Sequence, residues 1–411
     1  MTIKIAYFVH DLSDAAIHRR VRMFSCGGGT VTPIGFRRSA EAIVAVEGTR
    51  AVDLGRTRDG RLAGRVGSIL AALAKLQNLE EHVAGADVIV ARNLEMLVLA
   101  IRAGKLFAPK AAIVYECLDI HRMLVAKRLD GRLLQLMESR LWRDVDLLLT
   151  SSPAFVHNYF TPRGFPAPIR LVENKVLEIE SHDNDQKRPQ LPPGPPWRIG
   201  WFGIIRCRSS FDILSSLARA ADGAVEIIIR GQPSGATFRD FDVAIRNLPH
   251  VHFAGSYRTT DLPRIYRDVH FSWSIDYFET GQNSAWLLPN RIYEGTLHGA
   301  VSIALAGVET GRWLAERGIG VLLNEPVRQQ ALSFFRNLDA SAYMSLAKEV
   351  ETLPRAELVD NIANCRELVE ALRISRIHPE YRTSTSAACL EAMPGSASKT
   401  PGSTDRRAES S

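Results

Sequence analysis

With 411 residues, 46% hydrophobic and 23% charged, the chain exceeds the span of one hydrophobic core and has the apolar content to pack two domains of ordinary size. The apolar opening IAYFV is too short for a secretory signal, no run approaches the ~20 apolar residues of a membrane-crossing helix, and five cysteines without a Cys-x-x-Cys pair argue against a disulfide framework or a zinc site. The net charge of +6 is concentrated: residues 1–170 hold 24 Lys and Arg against 16 Asp and Glu, a balance that suits nucleic acid, an anionic membrane face or a phosphorylated substrate, or equally a solvated surface.

In chain order, KIAYFVH reads as a buried strand by its continuous apolar run. Ser13 follows as an N-cap, and the helical stretch AAIHRRVRMF stops at Gly27-Gly28-Gly29. TVTPIGF, AVDLG, DVIVARN, AAIVYEC, DLLLTSS and IRLVEN then recur as short β-rich segments, with helical patterns such as GSILAALAKLQNLEEHV and GRLLQLMESRLWRDV between them. Strands alternating with helices predict a parallel sheet covered on both faces. Residues 181–196, SHDNDQKRPQLPPGPP, have nothing to bury and read as a linker. Beyond it the alternation resumes with WRIGWFG, a helix from Phe211, VEIIIRG, a helix near 237–247, VHFAG, DLPRIYRD, VHFSWSI, a short helix within LLPNRIYEGTLHGA, and VSIAL.

The expected architecture is α/β, with two Rossmann-like, doubly wound parallel-sheet domains facing a cleft. Residues 1–178 form the first, 179–196 the linker, 197–381 the second, and 382–411 a disordered tail. In such sheets ligands sit outside the carboxyl ends of the strands, so the loops that follow strands should hold the chemistry.

The first strand runs into DLSDAA without a G-x-G-x-x-G, which removes the usual approach of backbone to a pyrophosphate and sets hydride transfer aside. A different phosphate site lies in the second half. Gly203 permits close approach after a strand, Arg206 offers a forked set of donors, and Arg208 is its weaker companion. Pro289 suits the first turn of a helix, where the amides of Asn290, Arg291 and Ile292 would face the cleft and attract phosphate. Glu294, placed in that turn, is suited to accept hydrogen bonds from ribose hydroxyls or simply to complement the helix dipole. The arginines, likewise, either grip phosphate or decorate a loop.

WFG-x-x-R, IIIRG, VHFAGSY with DLPRIY, VHFSWSID and LLPNRIYEG, in this order over residues 197–305, resemble the nucleotide-binding half of GT-B glycosyltransferases near the family 4 type. FVHDLSDAAIHRRVRM, VYECLDIHR and LLPNRIYEG are similar to bacterial exopolysaccharide glycosyltransferases of the succinoglycan ExoL type. The resemblance implies that Arg206 holds the diphosphate of a nucleotide-sugar, Glu294 the ribose and the loop Gly255-Ser256-Tyr257 the base. It also places the turn Glu279-Thr280-Gly281-Gln282-Asn283 beside the donor sugar.

Two departures stand out: Trp286 occupies the position of a second glutamate common in family 4, and Phe211 that of a lysine common after the phosphate arginine. Arg291 or Arg208 would supply the missing positive charge. The first half then carries the acceptor. For an inverting reaction Asp119 is the first choice of base and Glu116 the next, with His121 assisting or orienting, and for a retaining one leaving-group stabilisation by Arg206 and the helix amides would dominate; His10-Asp11 is the other candidate pair. Loop capping is an equally good role for any one of these taken alone. Arg19, Arg20 and Arg22, with Arg37 and Arg38, would meet an anionic membrane or a lipid diphosphate, or simply form a solvated face.

The activity implied is transfer of a hexose from a nucleotide-diphosphate sugar, a UDP-sugar by expectation, to a polyprenyl-diphosphate-linked oligosaccharide. The expected setting is the cytoplasm, peripheral to the inner membrane, with no metal or other cofactor and no nucleic acid partner. A nucleotide-sugar 2-epimerase of the same architecture, or a non-catalytic scaffold in polysaccharide assembly, are the competing functions.

Overall fold

The computed structural model describes residues 2–57, 62–126, 129–179, 191–281 and 283–374. Residues 180–190 of the expected linker, and the whole of the expected tail with Cys389, lie outside the described residues.

The first sheet contains β1 (Ile3–Val9), β2 (Gly29–Arg37), β3 (Val52–Arg56), β4 (Val88–Arg92), β5 (Ala112–Cys117), β6 (Leu147–Thr150) and β7 (Ile169–Leu171). All its pairings are parallel, and the strands lie in the order β3-β2-β1-β4-β5-β6-β7. The second contains β8 (Trp197–Ile205), β9 (Val225–Pro233), β10 (Val251–Phe253), β11 (Phe271–Trp273), β12 (Val301–Leu305) and β13 (Val321–Leu323), in the order β10-β9-β8-β11-β12-β13 and again parallel. Of the helices, the site draws on α1 (Ala15–Cys26), α2 (Leu62–Ala74), α3 (Leu94–Phe107), α4 (Leu129–Leu141), α5 (Arg208–Ala220), α6 (Leu262–Arg267), α7 (Asn290–Leu297) and α8 (Ile362–Ala371).

The continuous apolar runs follow from sheets covered on both faces. In β1, Ile3, Ile5, Tyr7 and Val9 pack with α1 and α8, whereas Ala6 and Phe8 pack with α3 on the opposite face. The capping residue of α1 is Asp14, not Ser13: its side chain accepts from the Ala16 amide at 2.9 Å, while Ser13 bonds to Asp11.

Each strand order reverses once, between β1 and β4 in the first sheet and between β8 and β11 in the second. There the crossovers leave in opposite directions and open a crevice at the carboxyl ends. The loops leaving these four strands carry His10, Asn93, Arg206 and Asp276.

The chain passes between the halves twice. Val176–Leu177 pairs in parallel with Val359–Asp360, and Arg19 of α1 donates to the Asp360 carboxylate at 2.8 Å and to the Lys175 carbonyl. Beyond this crossing α8 returns to the first half, packing Cys365, Leu368 and Val369 into the core beside α1. The expected second domain, 197–381, is therefore not spatially continuous with its own sheet, because the apolar face of α8 finds its partner on the other side.

Gly27 makes that return possible, since a Cβ on it would lie 2.3 Å from the Cys365 carbonyl oxygen. Gly27→Ala is expected to lower stability by about 1–3 kcal/mol through overpacking between α1 and α8, read as an earlier denaturant midpoint.

Candidate active site

The C-terminal ends of β8 and β9 meet backbone to backbone. Gly203 and Gly231 pair in register with φ of +113° and +129°, and a Cβ on Gly231 would lie 1.8 Å from the Gly203 carbonyl oxygen. A Cβ on Gly203 would meet only open space, so its own requirement for glycine is conformational. Arg206 leaves this edge and donates to the Asp276 carboxylate at 3.2 Å, its guanidinium 5.0 Å from the Phe278 ring. About a third of the Arg206 side chain stays exposed, whereas Asp276 is nearly enclosed. Arg208 begins α5 and pairs with Asp212 on the same helix at 3.2 Å. Phe211, in the expected lysine position, is buried against Phe238 and Phe241, where an ammonium would be stranded.

Pro289 is the N-cap of α7, one residue before the expected first turn. Glu294 consequently sits beyond that turn, where the helix dipole does little for it. The Ile292 amide is spent on the Pro289 carbonyl, leaving the amides of Asn290 and Arg291 as the helix-end donors. Arg291 turns its guanidinium onto the Trp273 carbonyl at 3.3 Å, so Arg206 and Arg291 flank the chain as it leaves β11.

Glu294 accepts from the Tyr266 hydroxyl at 3.2 Å; burial raises its carboxyl pKa, against the opposing pull of Tyr266, Arg291 and Arg19. Tyr257 lies close enough to this carboxylate to be pushed up to about 12, chiefly by burial. Ser256 stays against the Gly231 carbonyl at 3.5 Å. Tyr257, Tyr266 and Glu294 thus form an aromatic and acidic patch with Arg291 beside it, and Arg206 stands on the other flank of the chain leaving β11.

The segment between β11 and α7 belongs to the second half by sequence and reaches the first half by contact. Asn283, 3% exposed, accepts from the Ile120 amide at 3.4 Å and bonds the Asp119 carboxylate. Ser152 donates to the Trp286 carbonyl, and the Trp286 side chain packs against the core of the first half. A glutamate there would be pressed into apolar surroundings, which accounts for its absence. Gly281 has φ +74° within the turn that delivers Asn283.

Asp119 is open to the cleft, yet the crowding walls raise its pKa, against the charges of Arg206 and His121 and the Asn283 bond. Glu279 is raised by burial and next by the Asp119 charge. Asp119, Glu279, Arg206 and Asp276 therefore converge across the cleft. Asp276 and Tyr266 escaped the sequence reading; the acid just after the aromatic strand FSW was the available signal.

Three expectations are corrected. Glu116 is 0% exposed and locked to Arg20 at 2.6 Å, to Arg92 at 3.7 Å and to the Tyr7 hydroxyl, so it cannot reach a substrate. Its pKa is lowered: burial, the largest influence, works the other way and is outweighed by the two guanidiniums and the hydroxyl. Asp11 is 4% exposed and accepts from the Ser13 and Arg38 amides, with the Arg38 guanidinium at 3.3 Å, which makes it a loop organiser. The arginines of α1 do not form one basic face, since Arg20 is buried, Arg19 holds the domain crossing and only Arg22 is exposed. His121 caps a short turn by accepting from the Met123 amide at 3.3 Å. Like Asp119, it borders a cavity of about 490 Å³ that runs between α2 and α4. Among the described residues no group of three or more His, Cys, Asp or Glu is arranged to hold a metal ion.

No protein-family model matches the chain. The succinoglycan biosynthesis protein ExoL of Rhizobium meliloti (strain 1021) is 45% identical over 377 residues, covering 90% of this chain and 93% of that protein. The chain belongs to the ExoL family. Its fold is that of GT-B glycosyltransferases. HepE of Anabaena, solved in complex with UDP and glucose, superposes with a TM-score of 0.64 at 15% identity, over 90% of this chain and 98% of that one. Sucrose-phosphate synthase of Thermosynechococcus elongatus gives 0.63 at 13%, over 90% and 98%. WaaG, a glycosyltransferase involved in lipopolysaccharide biosynthesis, gives 0.57 at 13%, over 89% and 99%.

In this ExoL-family protein Glu116→Gln is expected to cost about 3–5 kcal/mol by leaving buried guanidiniums without their counter-charge. Because the folded pKa of Glu116 is depressed, its contribution is present above the unfolded carboxyl pKa and lost as pH falls through the folded one. Denaturant unfolding at pH 7 and under progressively acidic conditions should show the wild-type advantage over Glu116→Gln shrinking with acid.

Proposed function

We propose that this ExoL-family glycosyltransferase moves a hexose from a UDP-sugar to a lipid-linked oligosaccharide in exopolysaccharide assembly. The observation that carries the proposal is the meeting of Asp119, from the first half, with Arg206 and Asn283, from the second, across one cleft. In this scheme Tyr257 stacks on the base and Glu294 accepts from the ribose hydroxyls. Arg206 exchanges Asp276 for the donor diphosphate, and Arg291 with the Asn290 and Arg291 amides meets the remaining charge. HepE is a protein of this fold that binds UDP and glucose, which supports the choice of donor.

Asp119 stands on the acceptor side as the general base. It takes the proton of the attacking hydroxyl while the new bond to the anomeric carbon forms and the bond to the diphosphate oxygen breaks. The nucleoside diphosphate leaves with the electron pair. Arg206 stabilises the charge that develops on the leaving diphosphate. Glu279, beside Asp119, is placed to receive hydrogen bonds from the donor sugar. We place the enzyme at the cytoplasmic membrane surface, where it meets its acceptor; among the described residues no helix is long and apolar enough to cross a membrane.

The test is transfer from UDP-hexoses to a lipid-linked oligosaccharide, with Asp119→Asn and Arg206→Ala beside the wild type. Asp119→Asn should lower kcat by roughly 10²–10⁴, and Arg206→Ala should weaken UDP-sugar binding. The base must be ionised, so kcat/KM should rise with pH through a pKa above the ordinary aspartate range, and Asp119→Asn should lack that limb. Epimer formation from UDP-sugar alone, or full polymer export by Asp119→Asn, would overturn the proposal.

A further inference from the structure

Two aliphatic stripes border the mouth of the 490 Å³ cavity, whose size lies in the range of ligand pockets. On α2, Val66, Ile69, Leu70 and Leu73 recur at helical spacing and line it; on α4, Leu134, Met137 and Leu141 do so from the other side. These helices leave apolar surface unpaid for by packing: Leu70 is 61% exposed, Met137 51%, and Leu133, just outside the mouth, 60%. Isolated exposed leucines are ordinary, but two facing stripes that continue into a cavity are not.

The other end of the same cavity is polar, bordered by His10, Arg38, Asn93, Glu95, Asp119 and His121, and opens to the cleft at the exposed Asp119 and His121. Asp119 is also the residue that Asn283 and Arg206 approach from the second half. The space thus grades from aliphatic between the two helices to polar at the cleft, where Arg38 and two histidines stand with the carboxylates Glu95 and Asp119.

From this gradient we infer that the groove between α2 and α4 binds the hydrocarbon chain of a lipid-linked acceptor. The chain lies along Leu70 and Met137. Its phosphate end sits near Arg38, His10 and Asn93, and the glycan to be extended lies against Asp119. A protein partner laid across the two stripes would cover Leu133 and Leu70 but leave the cavity behind them empty, so a flexible chain with a polar head fits better. Arg132 and Arg140, exposed on α4, favour an approach from an anionic surface. This assignment rests on the lipid-linked acceptor proposed above and supplies its location, which the partly buried arginines of α1 do not.

Farnesyl diphosphate, titrated calorimetrically with UDP saturating the donor site, is a suitable probe, with inorganic diphosphate as the head-only control. The wild type should bind the farnesyl compound at least tenfold tighter than inorganic diphosphate, and Leu70→Asn and Met137→Asn should each weaken it by about tenfold. Both side chains are largely exposed, so both variants should melt close to the wild type, and Val66→Ser supplies a third. Equal binding of the two diphosphates overturns the assignment, as does farnesyl binding unaffected by the substitutions. Loss of binding only to vesicles of anionic phospholipid, with farnesyl binding intact, overturns it too and makes the stripes a membrane contact. A wild type that extends a lipid-linked glycan while the variants do so equally well sinks the groove alone. A wild type that extends only water-soluble glycans sinks the lipid acceptor itself.

Discussion

The loop that leaves β11 is held by two masters, and the organisation of the cleft depends on that. Its start is fixed to the second sheet, where Asp276 holds Arg206 and the Ser210 hydroxyl donates to the Ile275 carbonyl at 2.9 Å. Its middle is fixed to the first half through Asn283 and Trp286, and its end through the Leu288 carbonyl, which accepts from Asn174 at 3.0 Å. A segment pinned on both sides sets how near Asp119 comes to Arg206. It also places α7, and with it Arg291 and Glu294, because α7 begins where the pinned segment ends.

Charge in this protein is used by depth. The excess of arginine in the first half is partly consumed inside: Arg20 and Arg92 neutralise Glu116 beneath β1 and β5, and Arg163 does the same for the buried Glu138. A buried carboxylate is tolerable only with such partners, and removing one partner costs more than the pair contributes. At the crevice the pairing is looser. Arg206 shares Asp276 while remaining a third exposed, so its guanidinium keeps part of its contact with solvent. The difference separates fully enclosed ion pairs from the partly solvated pair at the crevice.

The two glycines at the ends of β8 and β9 show a constraint of another sort. Adjacent parallel strands that end with positive φ at the same register bring carbonyl and Cα into contact, and no side chain fits between them at Gly231. The bare backbone edge that results lies between Arg206 and the loop carrying Ser256 and Tyr257, at the carboxyl ends of the strands.

Both sheets, their parallel sense and the place of Arg206 just after a strand were legible in the sequence, because a strand covered on both faces must be apolar throughout and its crossover helix amphipathic, and both patterns are local. That Glu294 lies on the short helix after β11 was legible, but its depth in α7 was not, since one residue of helix start separates a dipole partner from a carboxylate held by Tyr266. Glu116 and Asp119, three apart on one motif, look equivalent in sequence. Only the fold decides that the first points into the buried ion cluster and the second into the cleft, because Glu116 lies within β5 under a covered face whereas Asp119 stands in the loop beyond its carboxyl end. The return of α8 to the first half, the seat of Trp286 and the groove between α2 and α4 rest on contacts between residues far apart in the chain. Such contacts are fixed by which apolar faces remain uncovered once the sheets have formed, and no local pattern records them.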